Sequence, residues 1–277
     1  MQNYAKIDNS EVISALFPEP AENRPVCPGY AEDIEFGISD GSVLTCRFYP
    51  GRKNDPTLLY FPNSLAPVDK YDAIAESFTG QGINFLLTSY HSHGNNERRA
   101  GIVSMMNNLP FILQETVLFL KKEQFSGPLF TMGESIGSAF AIEITSSHPD
   151  QIKGMIIESG FCETIPFLTG SGVTMEGLEL QESDGFNNKG KITDIELPTL
   201  ILHGARDKVV PPPQAETLQA SSGARNKQFF IIPGAEHTTI AETGGPLYFQ
   251  TIKTFIDTVS GVNTWRQRRR NSRKRKE

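Results

Sequence analysis

Short, continuously apolar runs recur along this chain, separated by longer segments of helical periodicity. That alternation constrains the fold more than any other feature. Thr57–Phe61 (TLLYF), Ile83–Leu87 (INFLL), Leu129–Met132, Lys153–Ile157 (KGMII), Thr199–His203 (TLILH) and Gln228–Ile232 (QFFII) are each of strand length and lack a polar face. Such a strand is covered on both sides, as in a parallel sheet flanked by helices. Val43–Tyr49 alternates as a half-buried strand does. Lys70–Thr79, Leu109–Lys122, Ile136–Ser147, Pro213–Ala220 and Leu247–Val259 carry the helical spacing between the runs. The order predicts an α/β fold with a mostly parallel central sheet, helices on both faces and right-handed crossovers. One domain, roughly 30–262, accounts for these elements. A Pro-rich arm, 1–29, is expected to be irregular. Residues 161–196 break the rhythm with Gly, Ser, Asp and Asn, and predict a short helical insertion or a cover near a site.

Charge divides the chain in two. From Trp265 onward, eight Lys and Arg stand against one Glu, a local charge of +7. The remainder holds 18 basic against 31 acidic residues, or −13, within a net −6. The basic tail, 263–277, is expected to be disordered by self-repulsion, with a weak, salt-sensitive contact to anionic lipid or nucleic acid as its sharper reading. The acidic body is expected to disfavour anionic substrates. No run reaches the roughly 18 apolar residues of a membrane span, and no signal-peptide pattern opens the chain. Cys27, Cys46 and Cys162 form no CxxC pair, which predicts free thiols in a cytoplasmic protein. No cofactor motif is present, and the sequence leaves the oligomeric state open.

Gly133-Glu134-Ser135-Ile136-Gly137 follows the apolar run PLFTM and opens the helical segment SAFAIEITSS. A GxSxG sequence between strand and helix is the setting of a nucleophile elbow. The glycines leave room for a tight turn, and the serine projects at the carboxyl edge of the sheet. Ile136 then lies at a helix N-terminus, where its N–H can face a developing oxyanion. A serine needs a base and an acid to orient that base. Three histidines follow it. His148 precedes a proline and reads as a surface cap, and His203 ends an apolar run and reads as packing. His237, in PGAEH, stands in the loop after the last apolar run, and Asp207, in HGARD, stands in the loop after the run before it.

GESIGSAFAIEI, HPDQIKGMIIESGF, LPTLILHGARDKVVPP and IIPGAEHTTI, in this order and spacing, resemble the alpha/beta-hydrolase superfamily. The likeness is strongest to small bacterial serine hydrolases related to monoglyceride lipases and serine aminopeptidases. It implies Ser135 as nucleophile, His237 as general base and acid, and Asp207 as the residue that orients the imidazole. It also implies that main-chain N–H groups of Ile136 and Ser64 hold the oxyanion, and that the substrate is a small-molecule acyl compound. The expected activity is cleavage of a small or medium acyl ester. The superfamily also spans thioesterases and peptidases, and a non-catalytic hydrolase-like binding module is the competing reading.

Two departures motivate that competitor. Where the family usually has His-Gly-x after the strand TLLYF, this chain has Pro62-Asn63-Ser64. Where the family has an Asp-x-Arg-Gly run, the chain reads SYHSHGNN from Ser89. His91 and His93 at i, i+2 have no third ligand near in sequence, so no metal site is expected, and His91 reads as a substrate contact or loop-packing residue. Glu134 is expected near substrate, where its charge would repel anions, or else in a salt bridge to a surface Arg. Phe161, with Phe167, Leu168, Leu178 and Phe186, reads as the lining of an apolar acyl pocket or as plain packing of the insertion.

Overall fold

Nearly all of the apolar runs become strands buried on both faces. The computed structural model describes residues 3–18, 25–39, 41–90, 92–93 and 101–262. His91, the remainder of its loop to residue 100 and the basic tail 263–277 lie outside the described residues. The strands are β1 (Glu32–Gly37), β2 (Val43–Tyr49), β3 (Thr57–Phe61), β4 (Asn84–Leu87), β5 (Ser92–His93), β6 (Leu129–Glu134), β7 (Gly154–Glu158), β8 (Thr199–Gly204) and β9 (Lys227–Ile232). They form one sheet in the order β1-β2-β4-β3-β6-β7-β8-β9, with β5 beside β2. From β4 to β9 every pairing is parallel, while β2 pairs antiparallel with β1, β4 and β5.

The period-2 geometry of the strands divides their side chains between two covers. On one side, Leu59 and Phe61 pack with α1 (Ser10–Leu16), α3 (Ile102–Lys122) and α4 (Gly137–Ser147). The same side continues through Ile157 and Ile201 to α6 (Asn188–Asp194) and α7 (Pro212–Ser221). On the other, Leu58, Tyr60, Phe130, Ile156 and Leu202 meet α2 (Lys70–Gly80) and α8 (Ile240–Val259). Each fully buried Leu, Ile or Phe contributes on the order of 2 kcal/mol relative to exposure. Among the described residues no helix is long and apolar enough to cross a membrane.

Three elements differ from the sequence expectation. The arm contains α1, capped by Asn9, whose side chain accepts from the N–H groups of Glu11 and Val12. Its Val12, Leu16 and Phe17 are buried in the main core. Helix α3 begins at Ile102, so Pro110 lies inside it rather than in its first turn. Helix α8 begins at Ile240 but kinks at Gly245, where φ is +49°, just before Pro246. The expected helix from Leu247 is its second half. The 161–196 insertion holds α5 (Thr164–Gly170), α6 and a short 3₁₀ turn. Glu182 of that turn accepts from the N–H groups of Thr164 and Ile165, both at 2.7 Å, and so caps α5.

Arg47 ties the antiparallel edge to the arm. Its guanidinium is fully buried and donates to Asp33 (Nε at 2.8 Å), to Asp72 (3.4 Å) and to the Pro25 carbonyl (2.9 Å). Removing it takes the cation from two partly exposed carboxylates and leaves the Pro25 carbonyl without its donor. Arg47→Leu is expected to cost about 3 kcal/mol, read as a lowered urea midpoint. A loss below about 1 kcal/mol would show that the guanidinium is not an anchor.

Candidate active site

Strand β6 turns into α4 within three residues. Ser135 at that turn adopts φ +55°, a left-handed conformation that is rare for a residue with a Cβ. The turn closes only because its flanks are glycines. A Cβ on Gly133 would lie 2.2 Å from the Gly137 carbonyl oxygen, and one on Gly137 would lie 2.1 Å from that of Phe61. The Ser135 N–H donates to the Glu158 carbonyl of β7 at 2.9 Å, which holds the strained residue against the sheet.

The Ser135 Oγ lies 2.7 Å from His237 Nε2. His237 Nδ1 lies 2.8 Å from Asp207 Oδ2. A carboxylate only accepts, so the Nδ1 proton is donated to Asp207 and Nε2 is free to accept from the serine. The other Asp207 oxygen accepts from the N–H groups of Val209 (3.0 Å) and Val210 (2.8 Å). The His237 loop is fixed as firmly. Its own carbonyl accepts from Ser159 Oγ at 2.7 Å, and the Arg206 N–H donates to the Ala235 carbonyl at 2.8 Å. All three side chains are buried.

They meet at a cleft of about 380 Å³ whose walls include Leu16, Ser64, Leu65, Ile136 and Phe167. Neither the Ile136 nor the Ser64 N–H donates to a protein acceptor among the described residues. The loop that lost its usual glycine is held in other ways. The Asn63 N–H donates to the Tyr71 hydroxyl (2.9 Å), Asn63 Oδ1 accepts from Leu65 (3.1 Å), and Tyr90 donates to the Pro62 carbonyl (2.6 Å). The arrangement is suited to activate a hydroxyl for attack on a carbonyl and to receive the charge that develops on its oxygen.

Several expected contacts lie elsewhere. Glu134 does not line the cleft. It is buried beneath it, accepting from Tyr60 (3.0 Å) and Tyr71 (2.8 Å), with Lys70, not an arginine, 3.7 Å away. It occupies the position before Ser135 on a strand, and alternation turns it to the opposite side. Phe161 is buried and stacks on Phe167 at 3.9 Å, so Phe167 reaches the cleft and Phe161 stands behind it. Leu168 and Phe186 are core residues, and Leu178 packs against that core. His203, expected to be packing, is fully buried and supports the Asp207 turn. Its Nε2 donates to the Val210 carbonyl at 2.8 Å and lies 3.4 Å from Asp207 Oδ2. Burial lowers its pKa and keeps it neutral there. Among the described residues no group of three or more His, Cys, Asp or Glu is placed to hold a metal.

A family model described as serine aminopeptidase, S33, matches residues 66–175 and 187–244. The protein bem46 of Schizosaccharomyces pombe is 29% identical over 277 residues, covering 94% of this chain and 88% of that one. Mouse monoglyceride lipase is 23% identical over 122 residues, 44% of this chain and 40% of its own. Among solved structures, an esterase of Pyrococcus furiosus, Pf2001, superposes with TM-score 0.69 at 14% identity, covering 88% of this chain and 98% of its own. Est1E of Butyrivibrio proteoclasticus does so with TM-score 0.63 at 17% identity, covering 82% and 98%. At these identities the superpositions establish the fold.

Glu134 faces Glu158 across paired strands, and Tyr248 donates to Glu158 at 2.6 Å. Burial first, and then the Glu134 charge, push Glu158 from the ordinary 4.5 up to about 8. Its protonated form therefore favours the folded chain, and that stability is lost as pH rises through about 8. Glu158→Gln is expected to lose less thermal stability than the parent between pH 6 and pH 9. The difference at the alkaline end should be on the order of 5 °C by calorimetry. Parallel pH curves for the two proteins would mean that Glu158 is ionised throughout.

Proposed function

The chain belongs to the S33 serine aminopeptidase-like family of alpha/beta hydrolases, and from that premise we propose that it is a serine hydrolase of small- or medium-chain acyl esters. One observation carries the reading: Ser135 Oγ, His237 and Asp207 are joined by hydrogen bonds of 2.7 and 2.8 Å in the order that acyl transfer requires. The mouse monoglyceride lipase and the Pyrococcus furiosus esterase named above support an ester as the substrate. Phe167, Leu16 and Leu65 give the cleft an apolar wall, and its volume suits a short acyl chain better than a long one. The three unbridged cysteines support a cytoplasmic location.

In the proposed reaction His237 Nε2 takes the Ser135 proton as the oxygen bonds to the ester carbonyl carbon. Asp207 holds the tautomer and stabilises the imidazolium. The N–H groups of Ile136 and Ser64 stabilise the tetrahedral oxyanion, each contributing roughly 3 kcal/mol. The intermediate collapses with proton transfer from His237 to the departing alkoxide. Water, deprotonated by the same imidazole, then releases the acid from Ser135.

A fluorophosphonate probe is expected to label the protein at Ser135, and Ser135→Ala should lose both labelling and ester turnover while keeping its thermal midpoint. Asp207→Asn should lower kcat about ten-thousandfold. A folded protein that takes no label and turns over no activated ester would instead be a binding module.

A further inference from the structure

The charge inside the cleft opposes the charge of the body around it. Among the described residues, its ionisable lining is Arg206, Lys208, Glu236 and His237. Arg206 and Lys208 flank Asp207, so the hydrogen bonds that fix the Asp207 turn also fix the main chain from which their side chains extend. Arg206 is further held by its N–H bond to the Ala235 carbonyl. Both side chains are exposed, and neither has an ion-pair partner among the described residues. Glu134, the acid expected to repel anions, is buried outside the cleft.

Two cations on the cleft wall without an ion-pair partner among the described residues are open to a bound anion. A neutral ester makes no use of those charges, whereas a negative group beside them does. The side on which it binds follows from the proton path. His237 must hand its proton to the leaving oxygen, so the alcohol portion lies on the His237–Asp207 side. Arg206, Lys208 and Glu236 belong to that side by chain neighbourhood, two cations against one carboxylate, while Leu16, Leu65 and Phe167 furnish apolar wall.

We propose that Arg206 and Lys208 are specificity-determining residues that select acyl esters whose alcohol portion carries an anionic oxygen group. The proposal rests on the ester-hydrolase reading and names its substrate class. It reverses the expectation drawn from the acidic body.

Three esters of one acyl chain test it: 1-hexanoylglycerol, its 3-phosphate, and the hexanoyl ester of glycerate. At low salt kcat/KM should favour a charged ester over the neutral one by about tenfold, mainly through KM, and the ratio should shrink as salt is added. The phosphate and carboxylate arms report which anion fits. In the Arg206→Gln/Lys208→Gln double variant the ratio should approach one. Equal rates for all three esters in the parent, or a preference that survives in the double variant, would overturn the proposal. Fluorophosphonate labelling of Ser135 reports separately on the hydrolase reading. Were that to fail, calorimetric titration with hexyl phosphate still decides: binding at least about tenfold tighter to the parent than to the double variant supports the anion site, and equal or absent binding overturns it.

Discussion

The turn from β6 to α4 is the constraint around which the molecule is arranged. A serine in the left-handed region costs on the order of 1–3 kcal/mol and persists only when its surroundings over-determine it. Here they do so on both sides. The Glu158 carbonyl accepts the Ser135 N–H, and Gly137 lies so close to Phe61 that no side chain fits between them. The parallel pairing of β3, β6 and β7 supplies both braces, and the two helical covers hold that pairing rigid. The strain leaves the Ser135 hydroxyl at the carboxyl edge of the sheet, within hydrogen-bond reach of an imidazole delivered from a different strand end.

Delivery of that imidazole depends on a second set of close backbone approaches. A Cβ on Gly204 would lie 2.6 Å from the Ala235 carbonyl oxygen, so the end of β8 and the His237 loop touch through main chain alone. Ser159, adjacent to the Glu158 carbonyl that braces Ser135, donates to the His237 carbonyl. Ser135 and His237 are thus positioned by the same two consecutive residues at the end of β7. Lys70 adds a link from above, lying near both the Glu134 carboxylate and, at 3.4 Å, the Thr238 carbonyl.

Much of this was legible in the sequence because it follows from period and spacing. Thr57–Phe61 and Thr199–His203 lack a polar face, which only a doubly covered strand explains, and glycines two residues either side of Ser135 announce a tight turn. What escaped had weaker local signals. β1, EDIEFG, is an edge strand with only Ile34 and Phe36 turned inward, so its acidic residues mask its pattern. The α1 helix is too short for periodicity to show, although Asn9 ahead of Ser10-Glu11 was a readable cap. Glu134 was misplaced by residue type. A charge beside a nucleophile suggests substrate, but one step along a strand reverses the face. His203 carried no signal that separates packing from support, since that role depends on a carbonyl seven residues away.

The same lesson governs charge. A net −13 for the body is a sum over the whole surface, and screening limits an exposed charge to roughly 8 Å at physiological ionic strength. Most of those acids therefore exert little field at Ser135. Arg206 and Lys208 lie within the cleft itself, beside low-dielectric walls that focus the field rather than dissipate it. Glu134 and Glu158 are the acids nearest in sequence and strand register. Both are buried among tyrosine hydroxyls, with Glu158 held largely protonated at neutral pH and Glu134 beside Lys70. The two acids beneath the sheet edge are thus protonated or paired there, while Arg206 and Lys208 are left exposed in the cleft. What the site attracts is set by those few groups and not by the chain's overall balance.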